Sequence, residues 1–140
     1  MIVLDTNVVS ELMRAAPAED VVDWVDRQPA IDVHLTAVTV AELLYGVARL
    51  PDGIRKTELA EQVEGMLNED FDHRVVPFDE TAAAHYADIV VRRERAGRPI
   101  GMADAQIAAT CRSHGAVLAT RNIDDFADTG INIVNPWIPD

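Results

Sequence analysis

The chain has 140 residues, 49% of them apolar and 26% charged, with a single cysteine. This is the composition of one globular domain spanning 1–140, and it excludes a disordered chain, a disulfide-stapled fold and a cysteine-rich zinc module. Twelve basic residues against 24 acidic ones leave a formal charge of −12, which excludes a protein that coats nucleic acid by counterion release alone.

An enzyme that meets phosphates through a divalent metal and a local basic patch stays open. No apolar run approaches the ~20 residues of a membrane span. The opening Met1-Ile2-Val3-Leu4-Asp5 lacks the basic start of a signal peptide. Together with the lone Cys111, these features predict a cytoplasmic protein without membrane contact.

Ile2-Val3-Leu4 reads as a first strand that stops at Asp5-Thr6-Asn7, a cluster suited to capping a helix. Val8, Val9, Leu12 and Met13 then share a helical face, broken by Pro17. A second helix is predicted over 18–27 and a strand over 32–36, where Val33 and Leu35 alternate. Helices follow over 38–50 and 54–68, separated by Pro51-Asp52-Gly53. Val75 to Phe78 looks like a third strand, and Asp79 caps a helix reaching about Ala96, ended by Gly97 and Pro99.

Met102 to His114 is the most apolar helix, closed by Gly115. Ala116 to Thr120 is a strand of the kind covered on both faces. A short helical turn over 124–127, a last strand over 131–134 and Asn135-Pro136-Trp137 complete the chain. Short apolar strands alternating with amphipathic helices predict an α/β fold with a central parallel sheet.

In such sheets ligands gather beyond the carboxyl ends of the strands. Asp5 ends the first strand, Glu42 lies one turn into the helix after Thr36, Asp104 opens the 102–114 helix, and Asn122 follows the Thr120 strand with Asp124 and Asp125 close behind. Each has a plain alternative: an N-cap for Asp5, dipole compensation for Asp104, an arginine partner for Glu42. Glu42 and Asp104 fall among apolar neighbours, where an unpartnered carboxylate is costly to bury. Three carboxylates in one pocket repel one another and raise their own pKa values, which a divalent cation between them relieves. All-oxygen ligation points to Mg²⁺ or Mn²⁺ rather than zinc, and metal-activated water suits phosphodiester hydrolysis. The four histidines show no metal-ligand spacing, and Cys111 reads as core.

Four segments then stand out in order: Ile2-Val3-Leu4-Asp5-Thr6-Asn7-Val8-Val9-Ser10-Glu11; Thr39-Val40-Ala41-Glu42-Leu43 with Gly46; Met102-Ala103-Asp104-Ala105-Gln106-Ile107-Ala108-Ala109-Thr110; and Ala119-Thr120-Arg121-Asn122 with Asp125-Phe126. Over essentially the whole chain the sequence resembles a PIN-domain ribonuclease of the VapC toxin family, in particular its FitB-like branch, to which Asn135-Pro136-Trp137 is also similar. The resemblance implies a three-layer α/β/α PIN-like domain. It implies a Mg²⁺-dependent endoribonuclease, with Mn²⁺ able to substitute, acting as the toxin of a type II toxin–antitoxin pair on tRNA or rRNA. Carried over by position, Asp5, Glu42 and Asp104 are the metal-binding acids and Asn122 is the fourth catalytic residue.

Many relatives have aspartate at that fourth place. Asparagine offers a neutral oxygen, so a second metal is held less firmly unless Asp124 or Asp125 contributes. Thr6, Asn7 and Thr120 are auxiliary candidates for orienting a ligand or water. The resemblance further implies a homodimer, a toxin–antitoxin hetero-oligomer, and a cognate VapB-like antitoxin whose C-terminal segment covers the acidic groove. Arg92, Arg93, Arg95, Arg98 and Arg121 become candidates for RNA backbone contacts. The first four also read as a solvated helix end.

Two other functions compete. A receiver-type signalling module needs a lysine near its last strand, but the only lysine, Lys56, lies on a polar helix. A catalytically inert PIN-like binding module would have no reason to keep three mutually repelling carboxylates.

Overall fold

The computed structural model describes residues 1–138. Five short strands, β1 (Ile2–Leu4), β2 (Val33–Thr36), β3 (Val75–Val76), β4 (Val117–Ala119) and β5 (Asn132–Val134), form one parallel sheet in the order β3-β2-β1-β4-β5. β1 is central, with Ile2 beside both Val33 and Val117, and Leu4 beside Ala119. Because side chains alternate along a strand, Val3 and Leu4 enter opposite layers.

Leu4 packs in a core with Val8, Val9, Val21, Leu35 and Val63. These come largely from helices α1 (Thr6–Leu12), α2 (Glu19–Asp26), α3 (Ala37–Ala48) and α4 (Ile54–Gly65). Val3 packs in the other core with Ile89, Ile107, Ala108, Leu118 and Phe126, beneath α5 (Glu80–Arg95) and α6 (Met102–His114). Ala105, Ala108 and Ala109 are fully buried on α6, and such small side chains let α5 lie close along it. The three-layer α/β/α architecture is therefore present. Among the described residues no helix is long and apolar enough to cross a membrane.

Several boundaries differ from the sequence reading for local reasons. α1 starts at Thr6, within the expected capping cluster, because the Asp5 carboxylate accepts from the Thr6 N–H at 2.8 Å and caps the helix there. The helix predicted to Asn68 passes at Met66 into a π-helical turn over Met66–Asp70. β3 stops before Pro77, which has no N–H for a ladder. α6 has its predicted limits. Gly115 ends it in the left-handed conformation at φ 61°, which costs glycine little.

Candidate active site

The parallel register brings the carboxyl ends of β1 and β4 side by side. The Asp5 N–H donates to the Ala119 carbonyl at 2.9 Å, fixing Asp5 at the sheet rim while its side chain is 5% exposed. Asp5 Oδ1 takes the Thr6 N–H, and Oδ2 accepts from Thr120 Oγ1 at 2.7 Å and from Asn7 Nδ2 at 3.3 Å. Asp5 is thus an N-cap as well as a rim carboxylate. Thr120 is itself fully buried behind it.

Glu42 departs from the expectation of an apolar setting. The turn of α3 sends Leu43 and Val47 into the core and leaves Glu42 exposed, so no burial cost forces a partner on it. Its Oε1 accepts from Thr6 Oγ1 at 2.8 Å, which ties α3 to the start of α1. The arginine partner considered for it is absent among the described residues.

Asp104 stands in the first turn of α6, half-buried. Its carboxyl is pushed up to about 6, first by burial and then by repulsion from Asp5, Asp125 and Glu42. Asp5 is raised as well, mainly by burial, with the Thr120 and Thr6 hydrogen bonds opposing the shift.

Asn122 is exposed beyond β4, and its N–H donates to Thr120 Oγ1 at 3.0 Å. It leads into a 3₁₀ turn over Ile123–Phe126 that carries Asp124 and Asp125. Asp5, Thr6, Asn7, Glu42, Asp104 and Asn122 all line one open cavity of about 510 Å³. Asp124 and Asp125 line an adjoining cavity of about 320 Å³ instead.

The wall of the larger cavity also includes Ser10, Glu11, Arg14, Arg121 and Trp137. Ser10 and Glu11 fall within the first of the four segments but, like Arg14, carry no site role in the sequence reading, although Thr6, Asn7, Ser10 and Glu11 recur at three- and four-residue spacing along one polar face of α1. Glu11 pairs with Arg14 at 3.2 Å and accepts from the Ala18 N–H at 3.0 Å. Those two contacts, the Ala18 bond foremost, hold its carboxyl below the usual range.

By contrast, Asp5, Glu42 and Asp104 form no ion pair among the described residues. Three carboxylates facing one cavity without a cation are suited to a hard divalent ion. Among the described residues no three acidic, histidine or cysteine side chains stand close enough together to hold a metal ion by themselves.

The arginine run divides. Arg93 is 5% exposed; its Nη1 donates to the carbonyls of Asp125 and Ala127 at 2.9 and 3.0 Å, and its Nε to that of Arg98 at 2.6 Å. It is a buried staple and is not available to an RNA phosphate, contrary to the sequence reading. Arg98 lies 3.4 Å from Asp128, and Arg92 lies 3.8 Å from Asp88. Arg95 is exposed. Arg121 places its guanidinium 5.0 Å from the centre of the Trp137 ring.

Comparison with known proteins gives a consistent family. The PIN domain profile matches residues 2–132. The VapC ribonuclease Y4jK of Sinorhizobium fredii is 45% identical over 139 residues, covering 99% of both chains. Toxin FitB of Neisseria gonorrhoeae is 44% identical over 137 residues, covering 98% of this chain and 99% of that one. Among solved structures, a FitAB complex bound to an IR36 DNA fragment superposes with a TM-score of 0.93 at 43% identity, covering 100% of this chain and 98% of that one.

Proposed function

Because the chain belongs to the PIN-domain family of VapC and FitB toxins, we propose that it is a Mg²⁺-dependent endoribonuclease, the toxin of a toxin–antitoxin pair. The observation that carries this reading is the shared cavity of Asp5, Glu42 and Asp104, with Asn122 beside them and no cation paired to the three acids. The names of the relatives supply the reaction class, and tRNA or rRNA is the substrate class proposed.

Asp5, Glu42 and Asp104 are the residues that would hold Mg²⁺, or Mn²⁺ in its place. When bound, such an ion would polarise a phosphoryl oxygen and make water more acidic. The chain's own groups prepare the site. Thr6 N–H and Thr120 Oγ1 fix the two oxygens of Asp5, so that carboxylate does not reorient when substrate arrives. Thr6 Oγ1 holds Glu42 Oε1 toward the cavity. Asn122 offers an amide near the acids without adding to their repulsion. No histidine lines the cavity, and Cys111 is buried with its thiol pushed up to about 12 by burial. Water is therefore the attacking group we assign, entering as the phosphodiester oxygen leaves.

A cognate antitoxin belongs to the proposal, since a guanidinium entering the cavity would compensate the same unpaired charge. So do a cytoplasmic location and a homodimer within a larger toxin–antitoxin assembly, for which the exposed Leu44 and Tyr45 of α3 offer apolar surface. The inert binding module remains the second reading. The three carboxylates unpaired with any cation favour the enzyme, Asp104 above all, whose charge is opposed by burial and by its acidic neighbours.

Cleavage of total RNA by purified protein tests the assignment. Cleavage should require Mg²⁺, stop with EDTA, and fall about 100-fold or more in Asp5→Asn and Asp104→Asn while both variants still unfold in one cooperative thermal transition. Parental cleavage by either variant would falsify the site.

A further inference from the structure

We infer that Arg121 and Trp137 together form a nucleotide-binding subsite at the rim of the acidic cavity, with Arg121 meeting an RNA phosphate and the stacked pair offering its face to a base. The inference rests on the ribonuclease reading and adds to it where the strand is gripped.

Sheet register brings the two residues together. Ala119 of β4 pairs with Val134 of β5, so Arg121 and Trp137 lie just beyond neighbouring strand ends. Both backbones are anchored by asparagine side chains: the Arg121 N–H donates to Asn7 Oδ1 at 3.3 Å and the Trp137 N–H to Asn135 Oδ1 at 2.9 Å. Trp137 is half-buried against the Leu4 core, and the guanidinium lies over its ring at 5.0 Å. Cation–π contact with tryptophan restrains a side chain that otherwise loses much rotamer freedom on binding.

Charge singles out Arg121. Only Arg14 and Arg121 among the cations line the cavity, and Arg14 is already paired with Glu11. Arg121 forms no ion pair among the described residues. A chain of net charge −12 needs some such cation to hold a polyanion beside three carboxylates. Position supports the same reading, because Arg121 and Asn122 line both the acidic cavity and the adjoining one of about 320 Å³. A strand whose scissile phosphate reaches the acids and whose next nucleotide enters the second cavity passes Arg121, which lines both, with Trp137 beside it in the wall of the first. Single-stranded nucleic acid is held in this way elsewhere, by guanidinium on phosphate and π-faces on bases.

The test is fluorescence anisotropy with a short mixed-sequence single-stranded RNA and the same oligonucleotide made abasic, in Mg²⁺, on an Asp104→Asn background to prevent turnover. Arg121→Gln should lower the slope of log affinity against log salt by about 0.7, the share of one single-strand phosphate contact. Trp137→Leu should weaken binding of the intact RNA roughly ten-fold, the size of one base–aromatic stack, and should erase the preference over abasic RNA. Trp137→Phe should retain most of that preference, which separates stacking from loss of packing. In otherwise parental protein, Arg121→Gln should raise KM far more than it lowers kcat.

Variants that keep affinity, salt slope and base preference overturn the subsite while leaving the ribonuclease standing. The same holds if they lose only the ability to bind an antitoxin. A parent that neither binds nor cleaves RNA overturns both.

Discussion

Thr120 donates its hydroxyl proton to Asp5 Oδ2 at 2.7 Å across 115 residues of chain. Thr120 Oγ1 itself accepts from Asn7 Nδ2 at 3.3 Å and from the Asn122 N–H at 3.0 Å. One donor and two acceptor positions are all that a hydroxyl has, so this side chain is fully used. It joins the end of β1, the first turn of α1 and the segment that carries Asn122.

Thr120→Val keeps the volume and removes all three bonds. It should destabilise the fold by about 2 kcal/mol, since a buried carboxylate and two N–H groups lose a partner. RNA cleavage should fall roughly ten-fold as Asp5 loses its orientation, the effect expected when a group behind a metal ligand is removed. Thr120→Ser should restore most of both. Urea melts and cleavage rates of the two variants decide the point, and a cleavage rate for the valine variant equal to that of the parent would count against the role.

The raised carboxyl of Asp104 fixes the sign of a pH effect on stability. In the unfolded chain it titrates near 3.8, and in the folded protein near 6, so between those values the folded state binds more protons. Stability without metal is then fully present below about pH 4 and lost as pH rises through 6. Asp5, shifted the same way, adds to the loss. After solvent screening the Asp104 share is on the order of 1 kcal/mol. Thermal melts in EDTA between those pH values should show the decline and its reduction in Asp104→Asn. A decline of full size in that variant would assign it to other groups. Mg²⁺ should raise the parent's Tm at neutral pH and raise that of the variant less.

Arg93 gives the third expectation. Its guanidinium satisfies the carbonyls of Asp125 and Ala127, in the segment that brings Asp125 near Asp104, and that of Arg98 in the loop after α5. Arg93→Met keeps the apolar stem but leaves those carbonyls unsatisfied, for a loss of about 3 kcal/mol. Amides of residues 123–128 should exchange faster than those of α6 in hydrogen-exchange measurements. Uniform exchange across both segments would show that the arginine stabilises the whole domain rather than this turn.

Much of this architecture could be read from the sequence because its signals are local. Gly115 marks the end of α6, and Asp5-Thr6-Asn7 announces a helix start beyond an apolar strand. The candidate acids follow from the same logic, since each lies just past a strand or within the first turns of a helix.

Harder to read were features set by contacts between distant segments. Arg93 is hidden in a four-arginine run that reads as a wet helix end, although its spacing from Ala82, Tyr86 and Ile89 places it on the inward stripe of α5. The place of Trp137 beside Arg121 depends on β5 pairing with β4, a register that neither segment specifies alone. The exposure of Glu42 depends on how α3 is rotated over the sheet, and a stretch apolar on nearly every side carries no strong rotational signal.

The central position of β1 has a consequence during translation. β1 is made before either of its sheet neighbours and receives β4 only after β2, β3 and six helices have followed, so Asp5 waits for Thr120 across 115 residues of synthesis. A nascent chain still tethered to the machinery that makes it therefore holds a dispersed set of acids. The cell is given the length of one translation event in which the finished centre does not yet exist.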